Sequence, residues 1–247
     1  MGIVAFVYGI VCYLIFFITF LYAIGFVGNL IVPKTIDSGP VGPVTTAFIV
    51  NLILLGLFAV QHSVMARPGF KKWWTQFVPR PVERSTYVLF TNLILILLFW
   101  QWRPMADVVW QFENTAGRFV LIGLFWIGWG AVLLSTFMID HFDLFGLRQV
   151  YLHLRGLEYT PGEFKTTALY RYVRHPIMLG FVIAFWATPE MTQGHLLFAI
   201  ATTGYILIGI QFEERDLRTS LGQRYKEYSR QVSMLIPLLG RKSREGE

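Results

Sequence analysis

Charged residues are scarce in this chain. Asp, Glu, Lys and Arg make up 15% of its 247 residues, against about 25% in ordinary globular proteins. Cysteine is scarcer still, with Cys12 alone in an uncharged run. A single thiol excludes an internal disulfide and a cysteine-based zinc site, and Cys12 reads as a small apolar residue of a helix. The sequence also lacks a G-x-G-x-x-G turn, a Walker phosphate loop, zinc-finger spacing and a basic amphipathic reader helix. No soluble Rossmann or P-loop module is therefore expected, nor a metal site, nor nucleic acid as a partner. Internal repeats and low-complexity segments are absent too. Any nucleotide-like cofactor must be held by the chain's own membrane scaffold.

What is present is apolar. Hydrophobic residues reach 55% and aromatic ones 17%, which predicts an all-α polytopic membrane helix bundle. No charge occurs from Met1 to Pro33, a run too long for a signal-peptide core and without a basic leading region. A first span is expected within Ile3–Val32, closed by Pro33. A second, Val44–Ala66, follows the turn "SGPVGP"; a third is Ser85–Trp102 and a fourth Phe119–Ile139. Each approaches the roughly 20 residues a membrane helix needs. His175–Pro189, which is short, and Met191–Phe212 then read as a helical hairpin turning at Pro189-Glu190. Five to six membrane-entering helices result. They form a single integral membrane domain over 1–247, with an N-terminal bundle (1–139) and a C-terminal catalytic part (140–247).

The net charge of +6 follows the spans. Five basic residues lie in Ala66–Ser85, five between Asp140 and Arg174, and eight after Phe212. The loops Pro33–Pro43 and Arg103–Arg118 are nearly neutral. Positive-inside reasoning puts both termini and the basic loops in the cytoplasm.

The polar groups that could carry chemistry fall on that expected cytoplasmic side, in three clusters. In "YRYVRHP" (Tyr170–Pro176), the residue before proline avoids the α region and Pro176 suits a first helical turn. His175 is thus expected at a helix N-terminus, where N–H groups and the dipole attract anions. Arg171 and Arg174 add positive charge for a carboxylate or phosphate. Arginines that merely snorkel to headgroups would serve as anchors instead. In "QFEERDLRTSLGQRYKEY" (Gln211–Tyr228), Glu213 and Glu214 sit at the exit of an apolar helix, where carboxylates need partners. Gly222 is expected to cap that helix, and "QRYKEYSRQV" to form a short amphipathic helix on the membrane surface. Arg224, Tyr225 and Tyr228 suit either a pocket wall or the interfacial belt. In "IDHFDLFGLRQ" (Ile139–Gln149), acids flank His141, and an acidic neighbour orients an imidazole and makes it more basic. A solvated helix end explains the same residues. His62 reads as a polar residue held between helices, and His153 and His195 as loop residues.

"RHP", the apolar hairpin, "EE" and "GQRYKEY", in this order and spacing, resemble the isoprenylcysteine carboxyl methyltransferase superfamily, which includes phospholipid methyltransferases. "QHSVMARPGFKKWW" and "PRPVERSTYVLF" resemble NnrU-type membrane proteins. With "DHFDLFGLRQV" and "FWATPEMTQGHLLFAIATTGYILIGIQFEERDL", the whole chain is most similar to the bacterial methanethiol S-methyltransferases. The resemblance implies S-adenosyl-L-methionine as cofactor, a small volatile thiol as substrate, and dimethyl sulfide as product. It implies cofactor contacts from Gln149, Tyr170, His175, Glu213, Arg224 and Tyr225. The superfamily commonly has Tyr where Met178 stands here, so one hydroxyl contact is missing. For thiol deprotonation, Asp140 and His141 are the expected pair, with Arg174 as an electrostatic aid; entry of the thiol from the bilayer between helices is expected. Three other readings accompany this one, one of them a non-catalytic membrane subunit. A prenylated cysteine or lipid amine would be a larger acceptor, and NnrU kinship would let His62 and another histidine ligate haem. The oligomeric state is not legible.

Overall fold

A computed structural model describes residues 2–160, 162, 164 and 166–237. Lys165, Arg241, Lys242 and Arg244, which enter the charge argument, lie outside the described residues. The uncharged runs become helices: α1 (Gly2–Val27) and α2 (Val44–Ala66), then a short α3 (Pro68–Trp74), α4 (Arg80–Gln101) and, past a strand β1 (Val108–Gln111), α5 (Thr115–Ile139). Two short helices follow, α6 (His141–Leu144) and α7 (Leu147–Leu154), then a 3-10 turn at Ala168–Arg171. The chain continues through α8 (Pro176–Trp186), β2 (Glu190–Thr192), α9 (Gln193–Leu221) and α10 (Gln223–Gln231).

Five of these helices, α1, α2, α4, α5 and α9, are long and apolar enough to cross a membrane. The shortest, α4, has 22 residues and reaches roughly 33 Å at about 1.5 Å per residue, beyond a hydrocarbon core of roughly 30 Å. The 11 residues of α8 reach only about half that core. Outward faces are oily: Val4, Val7, Leu14, Ile18 and Leu21 of α1 are all exposed. The chain is an integral membrane protein.

Several boundaries differ from expectation for visible reasons. α1 stops at Val27 instead of running on to Pro33, because Asn29 adopts a left-handed φ of 52°. That geometry ends helices. α9 continues through the paired glutamates and ends where Gly222, at φ 56°, provides the expected cap. The turn at Pro189-Glu190 contains β2, which pairs antiparallel with β1 through Val108↔Thr192 and Gln111↔Glu190. Strands this short leave no periodic signal. His153 belongs to α7 and His195 to the first turn of α9, so neither is a loop residue. The Thr192 hydroxyl accepts the His195 backbone N–H at 3.1 Å, and His195 is buried.

The described residues divide into two compact units. One contains residues up to 111, with 140–162 and 190–198; the other contains 112–139, 164–189 and 199–237. In the first, α1 packs on α4 and α7, and α2 on α4. Its interior holds Cys12, Phe26, Leu98 and Trp102, whose indole N–H donates to the Ile36 carbonyl at 3.0 Å. In the second, α5 crosses α8 where Gly128 meets Gly180. Trp129 stacks edge-on against Phe181 and Phe185 beside that crossing.

Candidate active site

In the second unit, the chain before α8 is pinned as an extended segment. The Arg174 N–H donates to the Ser233 carbonyl (2.8 Å) and the His175 N–H to Met234 (3.2 Å). Pro176 occupies the first helical turn and His175 is the N-cap, as its position before proline predicts. The Arg174 side chain then reaches Glu214. Its Nε and Nη2 lie 2.7 and 2.6 Å from Oε1, and Nη1 donates to the carbonyls of Ser229 (2.9 Å) and Val232 (2.6 Å). Arg218 Nη2 approaches the other Glu214 oxygen at 2.9 Å. His175 sits between the acids, with Nε2 3.3 Å from Glu214 Oε1 and Nδ1 3.5 Å from Glu213 Oε2.

This arrangement changes the role of the charges. Arg174 meets a carboxylate of its own chain, so its positive charge is compensated within the protein. Glu214 is 5% exposed, while the Glu213 side chain is 48% exposed. The hub is thus Glu214, and Glu213 is the acid left open to solvent or ligand.

A tyrosine group lies beside the hub. The Tyr228 hydroxyl donates to the Tyr170 carbonyl at 2.6 Å. Arg224 lies over the Phe164 ring at 5.6 Å and donates to the Phe164 carbonyl at 3.2 Å. Phe164 meets Tyr225 and Tyr228 edge-on, 6.1 and 5.3 Å between ring centres. Tyr225 is 1% exposed, and its buried hydroxyl has no hydrogen-bond partner among the described residues. Burial raises the Tyr228 phenol to about 12. Burial first, then a glutamate charge, raises Tyr170 (Glu213) and Tyr225 (Glu214) above the ordinary tyrosine value. All three stay protonated at neutral pH and serve as hydroxyls, not phenolates.

The first unit holds the other predicted residues. Asp140 caps α6 by accepting the Asp143 backbone N–H at 3.1 Å, and lies 3.9 Å from Arg148. His141 is 3% exposed, with Nε2 2.8 Å from the Tyr13 hydroxyl and Tyr13, Phe16, Phe142 and Phe145 around the ring. Burial lowers its pKa, outweighing the opposing charge of Asp140. The expected gain in basicity is therefore reversed, because desolvation penalises the imidazolium more than one carboxylate stabilises it. Asp143 gathers Arg148 (3.2 Å), the Tyr159 hydroxyl (3.1 Å) and the Gln149 amide, whose Nε2 donates to the Asp143 carbonyl at 3.1 Å. The Gln149 amide oxygen is buried and has no hydrogen-bond partner among the described residues.

Tyr170, Arg174, His175, Glu213, Arg224 and Tyr225 thus cluster in one unit, and Asp140, His141 and Gln149 in the other. Sequence reasoning missed Tyr13, which lies in an uncharged span with no local mark of its role. Choosing Glu214 as the hub over Glu213 was also beyond it. His62, on which a haem reading rests, has its two ring nitrogens 2.9 and 3.0 Å from the Tyr87 hydroxyl.

A buried glutamate, with buried histidines and tyrosines beside apolar spans, marks a polytopic membrane protein with a built polar site. No family model matches the chain, and no solved structure matches it. The chain is 62% identical to "Methanethiol S-methyltransferase" of Mycobacterium tuberculosis, over 94% of this chain and 95% of that protein. It is 54% identical to the protein of the same name in Crocosphaera subtropica, over 96% and 92% of the two lengths. It is 30% identical to mouse Nurim, over 68% and 67%. The chain belongs to the methanethiol S-methyltransferase family. As a methyltransferase, it requires a methyl donor.

Proposed function

We propose that the chain transfers a methyl group from S-adenosyl-L-methionine to methanethiol, releasing dimethyl sulfide. The observation that carries this reading is full-length similarity to enzymes of that name. The site residues suit the donor. The buried Tyr225 hydroxyl has no hydrogen-bond partner among the described residues, and such an atom is costly unless a ligand or water engages it. Tyr225, Tyr170 and Arg224 would hold the donor, with Glu213 and His175 for its ammonium or ribose. Tyrosine faces suit a sulfonium.

When bound, S-adenosyl-L-methionine supplies an electrophilic sulfonium methyl group. A thiol attacks as thiolate, so the chain must remove a proton. His141 is assigned that step. The Tyr13 hydroxyl, 2.8 Å from Nε2, holds the ring in place. Asp140 stabilises the imidazolium that results. The S–C bond to the acceptor forms as the donor's C–S bond breaks, and alignment supplies much of the rate. Arg174 acts through Glu214, holding His175 and the end of α10. Both termini and the site are assigned to the cytoplasmic side, where the basic loops belong.

Purified protein given both substrates should produce dimethyl sulfide by gas chromatography. Absence of product sinks the proposal. Turnover should fall toward acid pH, with a midpoint below the ordinary histidine value of about 6.5, because protonated His141 is no longer a base. His141→Ala with normal turnover across neutral pH would remove His141 from the mechanism. Tyr225→Phe should raise the apparent KM for S-adenosyl-L-methionine about 2- to 10-fold, the worth of one hydrogen bond, and leave the KM for the thiol unchanged. Equal KM values for wild type and variant would place Tyr225 outside the donor site.

A further inference from the structure

The first unit contains a cavity remote in sequence from every residue assigned above. It occupies about 170 Å³ and is lined by Lys34, Pro40, Trp100, Gln101, Trp102, Arg103 and Pro104. It forms where α4 ends and where the loop between α1 and α2 passes it. Two cations share it. Lys34 donates one N–H to the Trp100 carbonyl at 2.5 Å, and an ammonium has three donors. The Arg103 backbone is clamped by Asn51, whose amide exchanges bonds of 2.8 and 2.9 Å with it. Its guanidinium has no salt-bridge partner among the described residues, nor has the Lys34 ammonium. The nearby Asp37 is already engaged, by Asn29 at 2.6 Å and Thr192 at 2.5 Å. Burial first, and the Arg103 charge second, lower the Lys34 pKa below the ordinary lysine value. Two like charges thus share a partly buried cleft without a salt-bridge partner among the described residues.

The surroundings indicate what brings the missing negative charge. Trp100 is 69% exposed and Ile31 fully exposed at this level of the fold, the position of a tryptophan at the membrane interface. An ammonium and a guanidinium at that interface can pair with a headgroup phosphate through charge-assisted hydrogen bonds. We infer that the Lys34–Arg103 cleft binds the phosphate of an anionic glycerophospholipid. The bound lipid ties the α1–α2 loop to the end of α4. This role is independent of methyl transfer.

Full-length protein in mild detergent tests it, supplemented with phosphatidylglycerol, phosphatidylcholine or inorganic phosphate. Phosphatidylglycerol should raise the unfolding midpoint above phosphatidylcholine at equal mole fraction, and native mass spectrometry should find it retained. Inorganic phosphate alone should not reproduce the shift. Arg103→Gln, which breaks no side-chain bond among the described residues, should keep the wild-type midpoint in phosphatidylcholine and retain phosphatidylglycerol roughly five-fold more weakly. Lys34→Gln should add a loss of the same order. Equal shifts with the two lipids, an equal shift with free phosphate, or unchanged lipid retention in Arg103→Gln would each overturn the inference.

Discussion

Glu214→Ala is expected to cost about 3–5 kcal/mol of stability, the usual result of removing one partner from a buried ion pair. The Glu214 carboxylate is the meeting point of Arg174, Arg218 and His175. With it gone, Arg174, whose side chain is 11% exposed, keeps its charge in a buried site without an anion. The effect should reach activity as well as stability. Arg174 joins the start of α8 to the carbonyls of Ser229 and Val232, so its release loosens the segment carrying Tyr225 and Tyr228. Glu214→Gln retains an oxygen that can accept from Arg174 and should lose less. Arg174→Ala should cost about as much as Glu214→Ala. The double variant should fall well short of the sum, because each change removes the same interaction. Detergent unfolding curves for the four proteins measure this. Additive losses would show that Arg174 and Glu214 do not act as a unit.

The second large effect lies at the α5–α8 crossing. A Cβ placed on Gly180 would lie 2.7 Å from the Gly128 carbonyl oxygen, and one on Gly128 would lie 2.7 Å from the Gly180 carbonyl oxygen and the Ala184 nitrogen. These obstacles are backbone atoms, so no side chain can rotate away. Small residues allow membrane helices to approach this closely. Gly128→Leu and Gly180→Leu should force the helices apart and cost at least about 1–3 kcal/mol, the usual penalty of overpacking. Displacing α8 also moves His175 at its N-cap, so turnover should fall with stability. Gly123→Ala and Gly130→Ala provide the contrast on the same helix. An added Cβ there meets nothing within 4 Å, and the helix gains by replacing glycine. Thermal unfolding in detergent should separate the two pairs; equal behaviour would disprove the close crossing.

The spans were legible because about 20 uncharged apolar residues have few structural options besides a membrane helix. The expected Val44–Ala66 coincides with α2, and Gly222 ends α9 as its backbone freedom suggests. Proline placed His175 at the α8 N-cap for an equally local reason. The strands β1 and β2 escaped notice because they are 4 and 3 residues long and are stabilised by each other across the sequence. His141 illustrates the same limit at the site. Its neighbours in sequence are acids, which argue for a raised pKa. Its neighbours in space are aromatic rings and Tyr13, 128 positions away, and their exclusion of water lowers it.

By itself, the sequence determined an all-α membrane protein, its spans, the three polar clusters and the family to which it belongs. All of these follow from local composition, from chain-local constraints at proline and glycine, or from whole-chain similarity. Only the tertiary structure decided which polar group each cluster turns inward. Adjacent residues on a helix point about 100° apart, so of Glu213 and Glu214 only one could face the buried arginine. Packing chose Glu214 and left Glu213 half open. Only folding, likewise, paired Arg174 with an internal carboxylate and left the Tyr225 hydroxyl buried without a hydrogen-bond partner among the described residues, because those outcomes depend on distances between segments far apart in the chain.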